Sequence, residues 1–303
     1  MAKRSGRDGR RRLGAGARQE MLARIAAAGG LRARRPAPSA GPDPAAAALR
    51  EAVLDLQAAR LPQLHDMWDS LPTLTVDAAR LERNLVIAAA RRDPAHAAFD
   101  VLRTRLLRAL RDNGWHRVAV TSPTDGCGKT FTAANLAVSL SRYEGCRTLL
   151  LDLDLRSPGL APTLGVAAPG PISDWLRGAE PLEAHLRRIG PNPLGIGGLG
   201  VALNDRAESF PAELLRDPAT GAALAAMQAA LSPDVVLYDL PPALAHDDVA
   251  AFRDQYDGVL MVVGGGRNSA EQIREAVRRI GDDKPVLGII LNRAEEERAS
   301  GAA

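Results

Sequence analysis

An α/β fold, with a mostly parallel central sheet covered by helices on both faces, is what this 303-residue sequence predicts. Three observations predict it. Short apolar runs at Thr148–Leu151, Val235–Tyr238, Gly258–Val263 and Val286–Leu291 alternate with segments of helical spacing. A fifth run, Val118-Ala119-Val120, passes through a glycine-containing loop into a helix-like stretch from Phe131 to Leu140. Two of the runs lead into acids, Asp152 with Asp154 and Asp239, at the strand ends where parallel sheets bind ligands.

From the N-terminus, residues 1–43 are rich in Arg, Gly, Ala and Pro and read as a disordered basic tail. The first 36 residues carry about +9, so with a chain total of +3 the remainder is about −6. Such a tail suits an anionic membrane surface, and no specific nucleic-acid partner is expected. Residues 44–80 read as a helical linker, with Leu49, Val53 and Leu56 at helical spacing. Residues 81–303 read as one domain. A helix from about Ala95 to Arg111 leads to the strand before the loop, and helices follow near Thr130–Tyr143, Pro218–Leu231 and Ala270–Ile280. Aromatic residues make up only 3% of the chain, so the core is expected to be Ala, Leu and Val. Cys127 and Cys146 form neither a disulfide framework nor a metal pattern, which fits a reducing cytoplasm. No apolar run approaches the ~18–20 residues that span a bilayer, so a membrane role is expected to be peripheral.

The loop Thr121–Thr130 ends in Gly128-Lys129-Thr130, the arrangement of a phosphate cradle for a nucleoside triphosphate. Asp125, Gly126, Cys127, Gly128, Lys129, Thr130 and Phe131 are the expected nucleotide-binding residues. Lys129 reaches the terminal phosphates and the Thr130 hydroxyl ligates Mg²⁺. Pro123 stands where the pattern G-x-x-x-x-G-K-[ST] has glycine. An extended strand puts Asp152 and Asp154 on one side, where a metal triphosphate would meet one or both. Asp239 follows four apolar residues, as does the acid of an Mg²⁺ shell. The candidate catalytic residues are therefore Lys129, Asp152 and Asp154, and the candidate metal ligands Thr130, Asp154 and Asp239. Gly195–Gly200 fits G-x-G-x-x-G, but no clear strand precedes it and no helix follows, so it is set aside as a dinucleotide site. Gly264-Gly265-Gly266 reads as a turn.

Gly126–Thr130, Leu149-Leu150-Leu151-Asp152-x-Asp154-x-Arg156 and Asp239-Leu240-Pro241-Pro242 together resemble the bacterial tyrosine kinases of capsule and exopolysaccharide loci. Asp247-Asp248 and Asn84-Leu85-Val86-Ile87 are similar to the branch found with exopolysaccharide/PEP-CTERM sorting loci. The resemblance covers about residues 81–294. It implies a P-loop NTPase fold, ATP and Mg²⁺ as cofactors, and phosphoryl transfer to tyrosine. It also implies a membrane-embedded polysaccharide chain-length regulator as activating partner, a homo-oligomer, and a place in the cytoplasm at the inner membrane. By the same resemblance Asn292 and Arg293 sit near the adenine. Two departures stand out. The residues after Asn292 contain no tyrosine, where the family carries a tyrosine cluster. Ala97, Asp100 and Arg103 stand where the family's oligomerisation helix has Glu-x-x-Arg-x-x-Arg. Two other readings remain open: a ParA/MinD-type ATPase switch, which wants a lysine where Thr124 stands, and an ATP-binding regulatory subunit without kinase activity.

Overall fold

The computed structural model describes residues 67–86 and 94–293. The expected tail (1–43), the helix proposed at 45–61, Ile87 and the residues beyond Arg293 lie outside them. Eight strands form one sheet: β1 (Thr73–Leu74), β2 (Arg117–Thr121), β3 (Thr148–Asp152), β4 (Arg187–Ile189), β5 (Leu199–Ala202), β6 (Val235–Asp239), β7 (Gly258–Gly264) and β8 (Val286–Asn292). Their order is β1-β4-β5-β3-β6-β2-β7-β8. Every pairing is parallel except β4 with β5.

Alternation along the strands divides the core into two layers. Val118, Val120 and Leu150 face one layer with helices α1 (Pro94–Asn113) and α2 (Lys129–Ser141). Ala119, Leu149, Leu151, Val236 and Tyr238 face the other, with α3 (Pro218–Leu231) and α4 (Ala270–Ile280). α2 is buried from Thr132 to Ser141, and its Ala133, Ala134 and Ala137 let it lie close against the sheet. The helix ends follow local chemistry. Pro218 opens α3 with the Asp217 carboxylate accepting from the Ala219 N–H at 2.8 Å. Ser269 and Gln272 form a reciprocal capping box on α4. No described helix is long and apolar enough to cross a membrane.

β1, β4 and β5 were not expected from the sequence. Residues 67–80, read there as part of a linker, contribute buried Trp68 and Leu71 to the core and pair β1 with β4. The Gly195–Gly200 segment runs from a loop into β5, the reverse of a dinucleotide fingerprint. Two of its glycines, Gly198 and Gly200, serve close packing. A Cβ at Gly198 would lie 2.6 Å from the Cys146 carbonyl oxygen, and one at Gly200 2.6 Å from Leu149 Cδ2.

Asp257, just before β7, fastens the start of β2. Its Oδ2 accepts from the His116 and Arg117 main-chain N–H groups at 3.0 and 2.9 Å, and its Oδ1 from Arg117 Nη2 at 2.6 Å. Burial acts against its charge, but the Arg117 guanidinium and these N–H groups outweigh it and hold its pKa below the ordinary value. The stabilisation is therefore full above the unfolded value of ~3.9 and is lost as pH falls through the lowered one. Asp257→Asn should cost about 2 kcal/mol at pH 7, with the gap narrowing toward pH 3. Urea midpoints of the two proteins at both pH values measure it.

Candidate nucleotide and metal site

The loop between β2 and α2 lies at the carboxyl edge of the sheet and turns on two left-handed glycines, Gly126 (φ 72°) and Gly128 (φ 92°). The backbone angle calls for glycine at both, and at each the end of another side chain lies close by. A Cβ at Gly126 would lie 2.8 Å from an Arg267 guanidinium nitrogen, and one at Gly128 only 2.1 Å from Asn292 Nδ2. Despite Pro123, the loop's first arm is held by main chain. Ala243 N–H donates to the Ser122 carbonyl at 2.8 Å, and Leu244 N–H to the Pro123 carbonyl at 3.2 Å.

Three buried carboxylates converge on Lys129. Asp152 and Asp239 end neighbouring strands in direct register. Asp154 lies just past the end of β3, where its Oδ2 accepts from Lys129 Nζ at 2.5 Å and its Oδ1 from the Ser157 N–H at 3.0 Å. Lys129 Nζ is 3.8 Å from Asp239 and donates to the Thr130 hydroxyl at 3.3 Å. Asp152 Oδ2 accepts from the Gly159 and Leu160 N–H groups at 3.1 and 2.9 Å. Burial disfavours the Lys129 ammonium, but Asp239 and Asp154 together raise its pKa. Burial, then repulsion from Asp239, pushes Asp152 well above the carboxylate range. Burial pushes Asp239 up to about 6 against the pull of Lys129.

Asp152 Oδ1 and both carboxylate oxygens of Asp239 are buried with no hydrogen-bond partner. Oxygen donors left so beside a hydroxyl suit a hard divalent cation. Among the described residues no group of three or more His, Cys, Asp or Glu could hold a metal ion. Two carboxylates and the Thr130 hydroxyl fit Mg²⁺, which takes few protein ligands and completes its shell with water and phosphate oxygens.

Asn292 is placed against the loop, donating from Nδ2 to the Cys127 carbonyl at 2.8 Å. Arg293 is exposed, with φ 55°, and Asp125 is exposed on the loop. Phe131 turns its ring into the core, edge-on to Phe99 at 6.0 Å, so its nucleotide contact would come from the main chain. Arg156 is drawn away from the carboxylates, forking to buried Asp248 at 2.7 and 3.0 Å. Asp100 and Arg103 of α1 pair at 2.7 Å, and Arg103 also reaches Ser139 on α2.

Two supporting residues escaped the sequence reading. Asn268 donates to the Thr124 hydroxyl at 2.7 Å and accepts from Cys127 Sγ and the Gly264 N–H, both at 3.0 Å. Arg267 lies over Gly126. Both follow the triple glycine at the end of β7, which neighbours β2 in the sheet. The signal available was that adjacency: a polar pair directly after a strand beside the loop strand.

Comparison with known proteins matches residues 118–302 to the family described as CobQ/CobB/MinD/ParA nucleotide binding domain. EpsB of Ralstonia nicotianae is 32% identical over 201 residues, 66% of this chain and 26% of EpsB. This chain thus spans about a quarter of that relative's length. The tyrosine-protein kinase YwqD of Bacillus subtilis is 26% identical over 71% of this chain and 87% of its own. Among solved structures, the VpsO kinase domain is 30% identical with a TM-score of 0.57, covering 66% of this chain and 95% of its own. The kinase domain of the Escherichia coli tyrosine kinase ETK is 27% identical with a TM-score of 0.62, covering 72% and 82%. With the P-loop sheet, the paired acids and these relatives in agreement, the chain belongs to the bacterial tyrosine kinase family of exopolysaccharide loci.

Proposed function

We propose that this chain is an Mg-ATP-dependent protein-tyrosine kinase that regulates exopolysaccharide biosynthesis or export. It would work in the cytoplasm at the inner membrane, with a membrane-embedded chain-length regulator as activator and the basic residues 1–43 drawn to anionic lipid. The observation that carries the reading is the convergence of Asp152, Asp154 and Asp239 on Lys129 at the head of α2. Mg²⁺ bound with the triphosphate would neutralise charge on its β- and γ-oxygens. With a triphosphate bound, Lys129 would exchange its hold on Asp154 for the terminal phosphates, and the N–H groups of the loop and of the first turn of α2 would cradle them. Thr130, Asp239 and Asp152 offer oxygens to the ion. The unpartnered Asp152 Oδ1 favours Asp152 over Asp154 in that role. Asp154, released from Lys129, orients the acceptor hydroxyl and takes its proton. By the family resemblance Asn292 and Arg293 would flank the nucleobase.

Thr124 weighs against a ParA/MinD-type switch, because a hydroxyl engaged by Asn268 stands where that class needs a lysine. A second reading, an ATP-binding regulator without kinase activity, is favoured by the burial of Tyr238 and Tyr256, two of the chain's three tyrosines. Incubation of the full chain with labelled ATP, Mg²⁺ and a Glu/Tyr copolymer separates the two. The cytoplasmic segments of a chain-length regulator are added to one arm. Phosphotyrosine on the copolymer is the expected result. Tight ATP binding with no phosphotyrosine in either arm overturns the kinase reading in favour of the regulator.

A further inference from the structure

The chain contains three tyrosines, and the fold withdraws two of them. Tyr238 lies within β6, fully buried and edge-on to Phe252 at 5.0 Å. Tyr256 is also fully buried and donates its hydroxyl to the Val249 carbonyl at 3.3 Å. Burial pushes the Tyr256 phenol up to about 12 and the Tyr238 phenol higher still. Tyr143 differs in every respect. It is 50% exposed, and its hydroxyl has no hydrogen-bond partner among the described residues. It sits in the short turn after α2, where its N–H donates to the Leu140 carbonyl at 2.9 Å and its carbonyl accepts from Cys146 N–H at 3.0 Å. Left-handed Gly145 (φ 76°) shapes the turn.

We propose that Tyr143 is a phosphoacceptor of this chain and that the transfer runs between two copies. The inference rests on the kinase reading above and names a substrate for it. A single copy cannot perform the transfer. Lys129 begins α2 and Tyr143 follows its other end, so the helix holds the tyrosine roughly 20 Å from its own phosphate loop. The loop occupies the carboxyl edge of the sheet and Tyr143 the amino edge, just before β3 begins. In the transfer Tyr143 Oη bonds to the γ-phosphorus of ATP held by the second copy. The bond from that phosphorus to the β–γ bridging oxygen breaks, ADP leaves, and the phenolic proton passes to Asp154 of the copy holding the nucleotide.

The surroundings of Tyr143 suit the product as well as the acceptor. The residue separates two hollows of about 720 and 320 Å³. Arg142, Arg147 and Arg188 line the larger and Arg111 the smaller; Arg142 also donates to the Leu194 carbonyl at 2.6 Å, Arg188 pairs with Asp69 at 3.7 Å, and the Arg147 guanidinium lies over Trp68. Glu144 and Asp234 border both, but Asp234 is engaged by the Arg147 N–H at 2.7 Å. A phosphate on Tyr143, with charge near −2, would lie between guanidinium charges on either side.

The test uses the full chain, its Tyr143→Phe variant, and Lys129→Met as an inactive acceptor, each with labelled ATP, Mg²⁺ and a Glu/Tyr copolymer. The proposal expects copolymer labelling to be unchanged in Tyr143→Phe, while label on the chain itself falls by more than tenfold. It also expects the Lys129→Met chain to be labelled, at Tyr143 by peptide mapping, only when an active copy is present. Copolymer labelling with no label on the chain, or chain label that survives Tyr143→Phe, overturns the proposal and leaves the kinase reading standing. Label on the active chain but none on Lys129→Met, shown folded by circular dichroism under the assay conditions, overturns transfer between copies. No label on either substrate overturns both.

Discussion

Lys129→Met should remove detectable ATP binding and also make the protein less stable. The first effect follows from geometry. Lys129 is the cation at the head of α2, and without it the loop's N–H groups must hold a triphosphate in front of Asp152, Asp154 and Asp239 unaided. The second effect is absent from the usual expectation for a site-edge lysine. Its side chain is only 11% exposed, and its partner Asp154 is 3% exposed. Removing one member of a buried pair leaves the other charge uncompensated, which typically costs about 3–5 kcal/mol. Titration calorimetry with ATP and urea midpoints, both on the same preparation, check the two halves. A variant with undiminished nucleotide affinity would remove the phosphate-loop assignment. One with an unchanged midpoint would show that the carboxylates do not depend on the lysine.

Asp239→Asn should move stability and activity in opposite directions. Its two oxygens are buried without hydrogen-bond partners, and burial raises its pKa to about 6, so the folded state disfavours its charge. The penalty is present above that value and vanishes below the unfolded value of ~3.9. In metal-free buffer at pH 7.5 the isosteric amide should therefore stabilise the protein by on the order of 1–3 kcal/mol, a gain that closes as pH falls toward 4. Turnover should drop by at least ~100-fold, because the amide cannot offer the metal a charged oxygen. Thermal midpoints in EDTA and copolymer phosphorylation rates measure the two effects. A destabilised variant, or one that keeps full activity, would contradict this account of Asp239.

The sequence made the sheet legible from β3 through to β8 and left the β1-β4-β5 side obscure. β3, β6 and β7 announce themselves because strands buried on both faces are continuously apolar, β8 because its run is apolar although Ile289 and Leu291 are exposed at the sheet edge, and α3 and α4 because their caps are written locally in Asp217-Pro218 and Ser269. β1 has two residues and β4 has three, too short for any period to show. β5 was hidden by glycines whose purpose is contact with β3 and Cys146, a tertiary reason that no local pattern carries. The same division runs through the site. Lys129, Thr130, Asp152, Asp154 and Asp239 stand in motifs contiguous along the chain. Asn268 and Arg267 reach the loop only because β7 lies beside β2, an order that sequence spacing does not state.

That strand order also sets when the site can exist. β2, which carries the loop, is flanked by β6 and β7, and the clamp on Cys127 comes from Asn292 at the end of β8. The whole phosphate motif has been synthesised by Thr130, yet its last support arrives about 160 residues later. At ribosomal speeds of roughly 5–20 residues per second, that interval is about 8–30 s. For most of that time, until β6 and then β7 are made, the nascent chain displays a complete signature whose strand β2 has no neighbours in the sheet. A fragment cut before β8 would match the motif in any sequence search and still lack the Asn292 side chain that presses against Gly128. The motif identifies the site, but the far end of the chain finishes it.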